Sequence, residues 1–326
     1  MKKRTLSVVM ATYNGERYLR EQLDSVYAQT HLPDEVIVVD DCSTDGTVEI
    51  LEDYHQRYGL HYIVNERNLR VNANFEKAIR LATCDYIAPC DQDDVWFKDK
   101  LEYCYESLLR MEKEEILKDN IDEKGYTTTP LMVTCRNTWC DGDLNEKYST
   151  ALKEDTEDFK ATVLYHLSQG SASMFNKAAI ESFLPFPPYS TGICYDSHAG
   201  YVVAMLGRKL NLKDSKLYYR VHGNNVTAAL HNSNKNALNQ KRFGHHYRSV
   251  SIVPKDFVKC YRFAESYISK QVSAEKIKYV HRIITLSDDI SILKRIWYLF
   301  DLSEIPFTAK VSSLKASIAN LLFYRK

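Results

Sequence analysis

The chain has 326 residues and carries 43 lysines and arginines against 43 aspartates and glutamates, so its formal net charge at pH 7 is zero. This balance excludes a global basic field, and we expect no nucleic-acid partner. No stretch reaches the roughly 18–20 apolar residues of a membrane-spanning helix, and the eight cysteines form no CxxC pair. Together these features favour a reduced, cytoplasmic protein of about two domains.

Strands and helices alternate in the first third of the chain, because short β-branched runs are followed by segments with apolar residues at helical spacing. The predicted elements are a strand at 6–11, a helix at 16–27, a strand at 35–39, a helix at 48–58, a strand at 60–64, a helix at 72–82 and a strand at 85–88. This alternation predicts an α/β fold with a mostly parallel, Rossmann-like sheet flanked by helices. Polar turns follow each strand, so Tyr13, Asp41, Arg70 and the 91–94 turn should face one crevice.

The 91–94 turn holds three carboxylates within four residues, Asp91, Asp93 and Asp94, directly after an apolar strand. Like charges at this spacing raise one another's pKa unless a cation lies between them. Mg²⁺ and Mn²⁺ suit such a site, because they take one or two protein carboxylates and leave their other positions to water and phosphates. The alternative is a solvated acidic turn.

Glycine is absent where two common nucleotide sites require it. No GxGxxG follows the first strand and no GxxxxGK[ST] occurs, which disfavours NAD sites and Walker-type ATP sites. The predicted crevice instead offers carboxylates, an aromatic side chain and Arg70, which is typical of a metal-bridged diphosphate site.

The middle of the chain alternates less regularly. Its predicted elements are a helix at 98–115, a strand at 130–137, an irregular acidic insertion at 141–158, a helix at 159–167, a small-residue loop and edge strand at 168–176, a helix at 178–183, a helix at 199–206 and a strand at 217–222. Asp196 just before the 199–206 helix could serve as its N-cap.

After about residue 230 the sequence becomes helical, basic and aromatic, with helices predicted at 264–284 and 290–300. The stretch 308–326 is amphipathic and basic. It could pack on the domain, pack on a second copy of the chain in a homo-oligomer, or contact the inner face of a membrane peripherally.

Several spaced motifs resemble the family 2 glycosyltransferases with the GT-A fold, most of all their bacterial rhamnosyltransferase-like subgroup. The resemblance is strongest over residues 5–105, continues loosely to the stretch 219–225 and stops near residue 230. The motifs are VVMATYNG at 8–15, EVIVVDDCSTDGT at 35–47 and DQDDVW at 91–96. The resemblance implies a GT-A domain at 1–230, with a nucleotide-binding half at 1–105 and an acceptor-binding half at 106–230, and a helical C-terminal extension at 231–326.

The resemblance also implies roles for individual residues. The general base would be Asp196, and Mn²⁺ or Mg²⁺ would lie on Asp93 and His222. Acceptor-site candidates are Trp96 and Gly170. The nucleoside-diphosphate sugar would contact Thr12, Tyr13, Asp41, Arg70, Asp91 and Gln92. Each has a structural alternative: Tyr13 or Trp96 as packed aromatics, Asp41 or Asp196 as cap carboxylates, and His222 as a satisfied strand-end histidine.

The implied reaction is inverting transfer of one sugar, from dTDP-rhamnose or a UDP-sugar, to a hydroxyl of a glycan or lipid-linked glycan in bacterial surface polysaccharide synthesis. The QxxRW signature of processive synthases is absent, which favours single-sugar addition. Two other classes remain open. They are a catalytically inactive sugar-nucleotide-binding or scaffold protein, and a nucleotidyltransferase, for which the 12–17 turn is a poor match.

Overall fold

One nine-stranded sheet runs through the part of the chain that the computed structural model describes, namely residues 3–157, 159–165, 169–222, 255–268 and 270–287. Its strands are β1 (Leu6–Thr12), β2 (Glu35–Asp40), β3 (His61–Val64), β4 (Tyr86–Cys90), β5 (Val95–Trp96), β6 (Leu131–Cys140), β7 (Glu146–Ser149), β8 (Ser173–Asn176) and β9 (Arg208–Arg220). Their order across the sheet is β3-β2-β1-β4-β8-β6-β9-β5, and β7 pairs with β6 beside this path.

The sheet is parallel in its first half and mixed in its second. Strand β1 pairs in parallel with β2 and β4, and β2 pairs in parallel with β3. Strand β8 then runs antiparallel to both β4 and β6, β5 runs antiparallel to β9, and β6 and β9 are parallel. The predicted α/β class is confirmed, and the antiparallel insertion of β8 is the feature that the alternation did not predict.

Helices cover both faces of this sheet. They are α1 (Leu19–Tyr27), α2 (Thr47–Tyr58), α3 (Val71–Leu81), α4 (Lys100–Ile116), α5 (Phe159–Tyr165), α6 (Lys177–Phe183), α7 (Tyr195–Leu206), α8 (Lys255–Ile268) and α9 (Ala274–Ser287). Side chains of β1 alternate between the faces: Val8 and Met10 pack with α1, α2 and α4, whereas Val9 packs with α3, α6, α7, α8 and α9. Both faces of β1, β2 and β4 are buried, so these parallel strands are apolar almost throughout, whereas the edge strand β3 is mostly exposed.

Three predicted elements are corrected by the structure. The small-residue segment leads into β8, which is a central strand and not an edge strand. The irregular acidic insertion contains β7. The helix predicted at 264–284 is two helices, because α8 ends at Ile268 and α9 begins at Ala274, where the Ser273 hydroxyl accepts the Lys276 amide at 3.4 Å.

The described helices beyond residue 230 share a core with the sheet. Phe257, Tyr261 and Val280 of α8 and α9 belong to the same buried cluster as Val203 of α7. The helices predicted at 290–300 and 308–326 lie outside the described residues. Among the residues that are described, no helix is long and apolar enough to cross a membrane.

Candidate functional site

Arg220, the last residue of β9, holds the carboxylate turn that follows β4. Its amide donates to Asp94 Oδ1 at 3.2 Å, and its Nε donates to the Asp93 carbonyl at 2.9 Å. Its terminal nitrogens donate to the Gly142 carbonyl at 2.7 Å and to Glu21 Oε2 at 2.5 Å. Arg220 is only 2% exposed, so its bonds to the turn are shielded from water, a setting in which charge-assisted hydrogen bonds are strong, whereas its partner Glu21 is 51% exposed. The turn is therefore fixed from the far half of the sheet.

The imidazole of His222 meets the carboxylate of Asp93 just beyond this arginine. His222 Nε2 lies 2.9 Å from Asp93 Oδ2. The ring of Tyr18 contacts both residues: its centroid lies 4.8 Å from that of the His222 ring and 4.5 Å from the guanidinium carbon of Arg220. The structure thus brings the two predicted metal ligands together.

The charge pattern of the turn fits a cation. Burial and the charges of Asp93 and Asp196 raise the pKa of Asp91 to about 7. Burial and the charges of Asp93 and Asp91 raise the pKa of Asp94 well above its usual range. The negative charges of carboxylates crowded in this way are not compensated by nearby positive charge, and a divalent ion would compensate them.

The protein itself offers this ion a carboxylate and an imidazole. Within the described part of the chain, no three or more His, Cys, Asp and Glu side chains are grouped so that they could hold an ion. Mg²⁺ and Mn²⁺ commonly complete such a partial set with substrate phosphates and water, so Asp93 and His222 suit a metal that arrives with a diphosphate.

Tyr13 and Gln92 form one wall of the crevice. The Tyr13 amide donates to Gln92 Oε1 at 2.8 Å, and Gln92 Nε2 donates back to the Tyr13 carbonyl at 3.1 Å. A Cβ on Gly15 would lie 2.5 Å from Gln92 Oε1, so glycine leaves room for this clamp. The side chain of Tyr13 is 50% exposed, which makes its ring accessible to a flat ligand.

Two adjacent carboxylates at the end of β2, Asp40 and Asp41, make different contacts. Asp40 accepts hydrogen bonds from the Thr12 hydroxyl at 2.8 Å and from the amide and hydroxyl of Ser43. Asp41 accepts from Asn65 Nδ2 at 2.9 Å and from the amides that follow β3, at residues 69 and 70. Thr12 and Asp41 therefore shape the loops around the crevice. Direct contact of either residue with a nucleotide stays a prediction.

Arg70 lies at the crevice with a strained backbone. Its φ of 71° and ψ of 163° fall in a region that essentially only glycine adopts. Asp41 Oδ2 accepts its amide at 2.9 Å, which holds it there, and its side chain is exposed. Strain of this kind occurs at ligand sites, and the predicted diphosphate contact stays a prediction.

Asp196 lies in the first turn of α7, whose N-cap is Cys194, so the predicted N-cap role for Asp196 is wrong. Its Oδ2 accepts the Gly170 amide at 3.2 Å and its Oδ1 accepts the Ser197 amide at 2.7 Å. Its charge contributes to the raised pKa of Asp91, so the two carboxylates share one environment. A Cβ on Gly170 would lie 1.8 Å from the Tyr195 hydroxyl oxygen, so only glycine fits here.

Trp96 is in the apolar core and not in the crevice. Its side chain is 3% exposed, and the fully buried Lys100 places Nζ 3.4 Å from the centroid of its ring. The acceptor-site role predicted for Trp96 is therefore corrected to a core role. Its position in β5, paired with β9, explains the burial.

Sequence reasoning assigned no role in the site to Arg220, Tyr18 or Gly15. The signal for Arg220 was a charged residue among the apolar and aromatic residues of the strand predicted at 217–222, two residues before a predicted metal ligand. For Tyr18 and Gly15 the relevant partners are distant in sequence, His222 and Gln92, so no local pattern indicated them.

Comparison with known proteins identifies a family and related folds. The model of "Glycosyl transferase family 2" matches residues 7–183, which is more than half of the chain. The chain is 39% identical over 108 residues to a putative teichuronic acid biosynthesis glycosyltransferase, TuaG, of Bacillus subtilis, covering 33% of this chain and 43% of that one. It is 38% identical over 106 residues to the dTDP-rhamnosyl transferase RfbG of Shigella flexneri, covering 31% of this chain and 37% of that one. The chain thus matches less than half the length of either relative.

A solved structure shares the fold. Residues 1–349 of S. aureus TarS in complex with UDP-GlcNAc align over 98% of this chain and 91% of that one, with a TM-score of 0.59 and 19% identity. At this identity the likeness concerns the fold alone, which is GT-A-like. The match of the family model, together with the predicted motifs that fall inside it, shows that the chain belongs to glycosyl transferase family 2.

Proposed function

We propose that this protein is an inverting, metal-dependent glycosyltransferase that moves one sugar from a nucleoside-diphosphate donor to a hydroxyl of a glycan or lipid-linked glycan. The observation that carries the proposal is the pairing of Asp93 with His222 at 2.9 Å, next to the partly buried carboxylate of Asp91. Family membership supports the reaction class.

In this proposal, Asp196 acts as the general base. Its carboxylate takes the proton from the acceptor hydroxyl as that oxygen forms a bond to the anomeric carbon. The bond between the anomeric carbon and the diphosphate oxygen breaks, and the diphosphate leaves with the electron pair. The Gly170 amide holds Asp196 Oδ2 at 3.2 Å and so orients the carboxylate. Attack opposite to the leaving group inverts the anomeric centre.

The other residues position the donor. Tyr13 would stack on the base, Asp41 and Gln92 would fix the loops around it, and Arg70 would contact the diphosphate. Asp93 and His222 would hold Mn²⁺ or Mg²⁺, which supplies positive charge for the leaving diphosphate. Positioning and charge stabilisation are the main sources of rate in such a transfer.

The names of relatives support particular substrates. RfbG is named as a dTDP-rhamnosyl transferase, TarS was crystallised with UDP-GlcNAc, and TuaG is named for teichuronic acid biosynthesis. We infer a dTDP- or UDP-sugar donor and an acceptor in surface polysaccharide assembly, on the cytoplasmic side of the membrane.

The test combines ligand-induced thermal stabilisation with turnover. A nucleoside diphosphate that binds the folded state raises the unfolding midpoint by mass action. We expect a shift with dTDP or UDP that requires Mn²⁺ or Mg²⁺ and is lost in Asp93→Asn. Asp196→Asn should keep the shift and lose sugar transfer, by about 10²-fold or more.

The surface carboxylate Asp53, which pairs with Arg20 on the outside of α1 and α2, provides the matched control. Asp53→Asn should keep both the shift and the transfer. No shift with any nucleotide and either metal would instead favour the inactive scaffold.

A further inference from the structure

One asparagine at the start of α3, Asn72, holds the segment of chain that leads into α7. Its Nδ2 donates to the Pro187 carbonyl at 2.8 Å and to the Ile193 carbonyl at 2.7 Å. Its Oδ1 accepts the Tyr195 amide at 3.0 Å. Asn72 is only 2% exposed, so these bonds take the place of bonds to water. Its side chain thus ties α3 to main-chain groups more than a hundred residues away.

The three bonds require an amide side chain at position 72. A carboxylate has no hydrogen to donate to the two carbonyls, and a serine hydroxyl has only one. Asparagine supplies two donor hydrogens and an acceptor oxygen on a short side chain, and all of them are used here. The geometry of the 187–195 segment therefore depends on this residue.

The segment that Asn72 holds ends at the proposed base. Asp196 directly follows Tyr195 in the first turn of α7. The ring of Tyr195 is fixed as well, because it stacks on Phe75 of α3 with centroids 4.1 Å apart. The Gly170 amide donates to Asp196 Oδ2 at 3.2 Å and orients the carboxylate. Helix α3 thus fixes the main chain and the ring that precede the base, whereas Gly170 orients its carboxylate.

The same turn of α3 also reaches the donor side of the crevice. Arg70, the proposed diphosphate contact, is the N-cap of α3 and lies two residues before Asn72. Asn74 Oδ1 accepts from Asn65 Nδ2 at 2.8 Å, and Asn65 Nδ2 also donates to Asp41 Oδ1 at 2.9 Å. Residues 70 and 74 therefore contact the donor side, and residue 72 contacts the segment that bears the base.

We propose that Asn72 is a positioning residue for the general base, because its three hydrogen bonds set where Asp196 lies relative to the donor. Asn72 is buried and acts through the main chain of Tyr195. The inference rests on the proposed function for the role of Asp196. A displacement of about 1 Å at a reacting group can cost on the order of 10²-fold in rate. Loss of the anchor should therefore slow the chemistry and leave nucleotide binding intact.

The experiment measures donor hydrolysis by the full chain with Mn²⁺ present. The probes are dTDP-rhamnose, UDP-GlcNAc, UDP-glucose and UDP-galactose. A water oxygen forms a bond to the anomeric carbon, the bond to the diphosphate oxygen breaks, the proton of the water passes to Asp196, and dTDP or UDP is released. We expect Asn72→Ala to lower kcat for this release about tenfold or more, with less than a twofold change in the Kd for dTDP or UDP. Asn72→Ser, which keeps one donor, replaces it if Asn72→Ala does not unfold cooperatively.

A double variant distinguishes positioning from a general loss of structure. If Asn72 acts through the Asp196 carboxylate, its loss has no further effect once that carboxylate is gone. The double variant Asn72→Ala/Asp196→Asn should therefore release the nucleotide no more slowly than Asp196→Asn alone. Two losses that add in full would overturn the proposal.

Asn176 provides the matched control, because it is 3% exposed and its side chain also makes three bonds to the main chain. The partners are Thr129, Leu131 and Ala179, at 3.0, 2.9 and 2.9 Å. It pairs with Tyr86 at the start of β4, the end of that strand away from the carboxylate turn. Asn176→Ala should lower the unfolding midpoint as Asn72→Ala does and leave kcat unchanged. Equal losses of kcat in the two variants would overturn the positioning role.

Hydrogen exchange measures the anchor without any substrate. Peptides that contain Tyr195 should exchange faster in Asn72→Ala than in the natural chain, and at the natural rate in Asn176→Ala. Unchanged exchange in Asn72→Ala would overturn the anchor. If no probe is hydrolysed by the natural chain and no nucleotide raises its unfolding midpoint, the proposed function is overturned, and with it the role of Asn72 toward the base. Faster exchange in Asn72→Ala would in that case identify a purely structural contact.

Discussion

At Arg70 the backbone conformation lowers the stability of the fold, whereas the side chain is proposed to bind the donor. The φ of 71° and ψ of 163° cost about 1–3 kcal/mol for a residue with a Cβ. Glycine would remove this strain, which stabilises the folded state. Its greater conformational freedom would also stabilise the unfolded state, by about 1 kcal/mol, and so offset part of the gain. Arg70→Gly should therefore raise the free energy of unfolding by about 1 kcal/mol and, if the guanidinium contacts the diphosphate, raise the KM for the donor. Urea denaturation and initial-rate kinetics check the two parts.

Arg67 in the same exposed loop has an ordinary backbone and serves as the control. Arg67→Gly should not stabilise the fold and should leave the donor KM unchanged. A destabilised Arg70→Gly variant with an unaltered donor KM would mean that neither the strain nor the contact has been identified correctly.

Gly170 has no room for a side chain. A Cβ there would lie 1.8 Å from the hydroxyl oxygen of Tyr195, whose buried ring stacks on Phe75 at 4.1 Å and cannot move away. Gly170→Ala should lower the free energy of unfolding by about 1–3 kcal/mol and reduce kcat, because Asp196 is bound to the Gly170 amide. Gly46→Ala is the control, because its new Cβ meets only the flexible end of Glu16, and little change in the free energy of unfolding is expected. Calorimetry of Gly170→Ala and Gly46→Ala measures the difference.

Individual residues were predictable where their signal is local. The carboxylates Asp91 and Asp93 follow a buried strand, and ends of parallel strands meet at one edge, so a common crevice followed from the sequence. The bonds from Arg220 to the turn span more than a hundred residues, and no local pattern encodes them. The strain at Arg70 was equally invisible, because sequence alone does not give φ.

At the scale of one element, α7 carries a buried histidine that makes stability depend on pH. His198 Nε2 donates to the Phe183 carbonyl at 3.2 Å, and burial lowers its pKa to about 4. Below pH 6.5 His198 binds a proton in the unfolded chain but stays neutral in the folded chain. The free energy of unfolding therefore falls as the pH drops from about 6.5 to 4. At pH 5 this loss amounts to about 2 kcal/mol.

Replacement of His198 by phenylalanine should remove this contribution to the pH dependence of stability. The difference in free energy of unfolding between pH 7.5 and pH 5 should be about 2 kcal/mol smaller in His198→Phe than in the natural chain. His61 on β3 is exposed, so His61→Phe should keep the original difference. Urea denaturation at the two pH values decides, and equal differences in all three proteins would contradict the assignment.

The elements themselves were predictable in the first third of the chain, where propensity, apolar spacing and turn residues agree. In strand β8 these local signals do not predict the observed element. The small residues that lead into it suit a loop, yet the Ser173 hydroxyl contacts that of Thr134 at 3.1 Å, and the strand lies between β4 and β6. Tertiary contacts place it in the sheet, and contacts of this kind override local preference.

At the scale of the whole molecule, the C-terminal helices complete the core. Lys276 of α9 donates to the carbonyls of Ala204 at 2.7 Å and Met205 at 3.1 Å, at the end of α7. Positive charge is favourable at the carboxyl end of a helix, so this contact joins α9 to the helix that bears Asp196.

A chain ended after residue 230, the predicted domain boundary, should lose cooperative unfolding, because the buried cluster shared with α8 and α9 would be exposed to water. A chain ended after Ser287 keeps both helices and should unfold cooperatively. Calorimetry of the two truncated chains is the measurement. A sharp transition at an unchanged midpoint for the shorter chain would establish 1–230 as an independent domain.

The bond between the Arg220 amide and Asp94 has a consequence for biosynthesis. The two residues are 126 positions apart, and ribosomes add about 5–20 residues per second. The acidic turn therefore emerges on the order of ten seconds before the strand that secures it. During that interval the nascent chain presents a loose acidic loop beside an unfinished sheet edge, which is when proteases and chaperones have their best access to it.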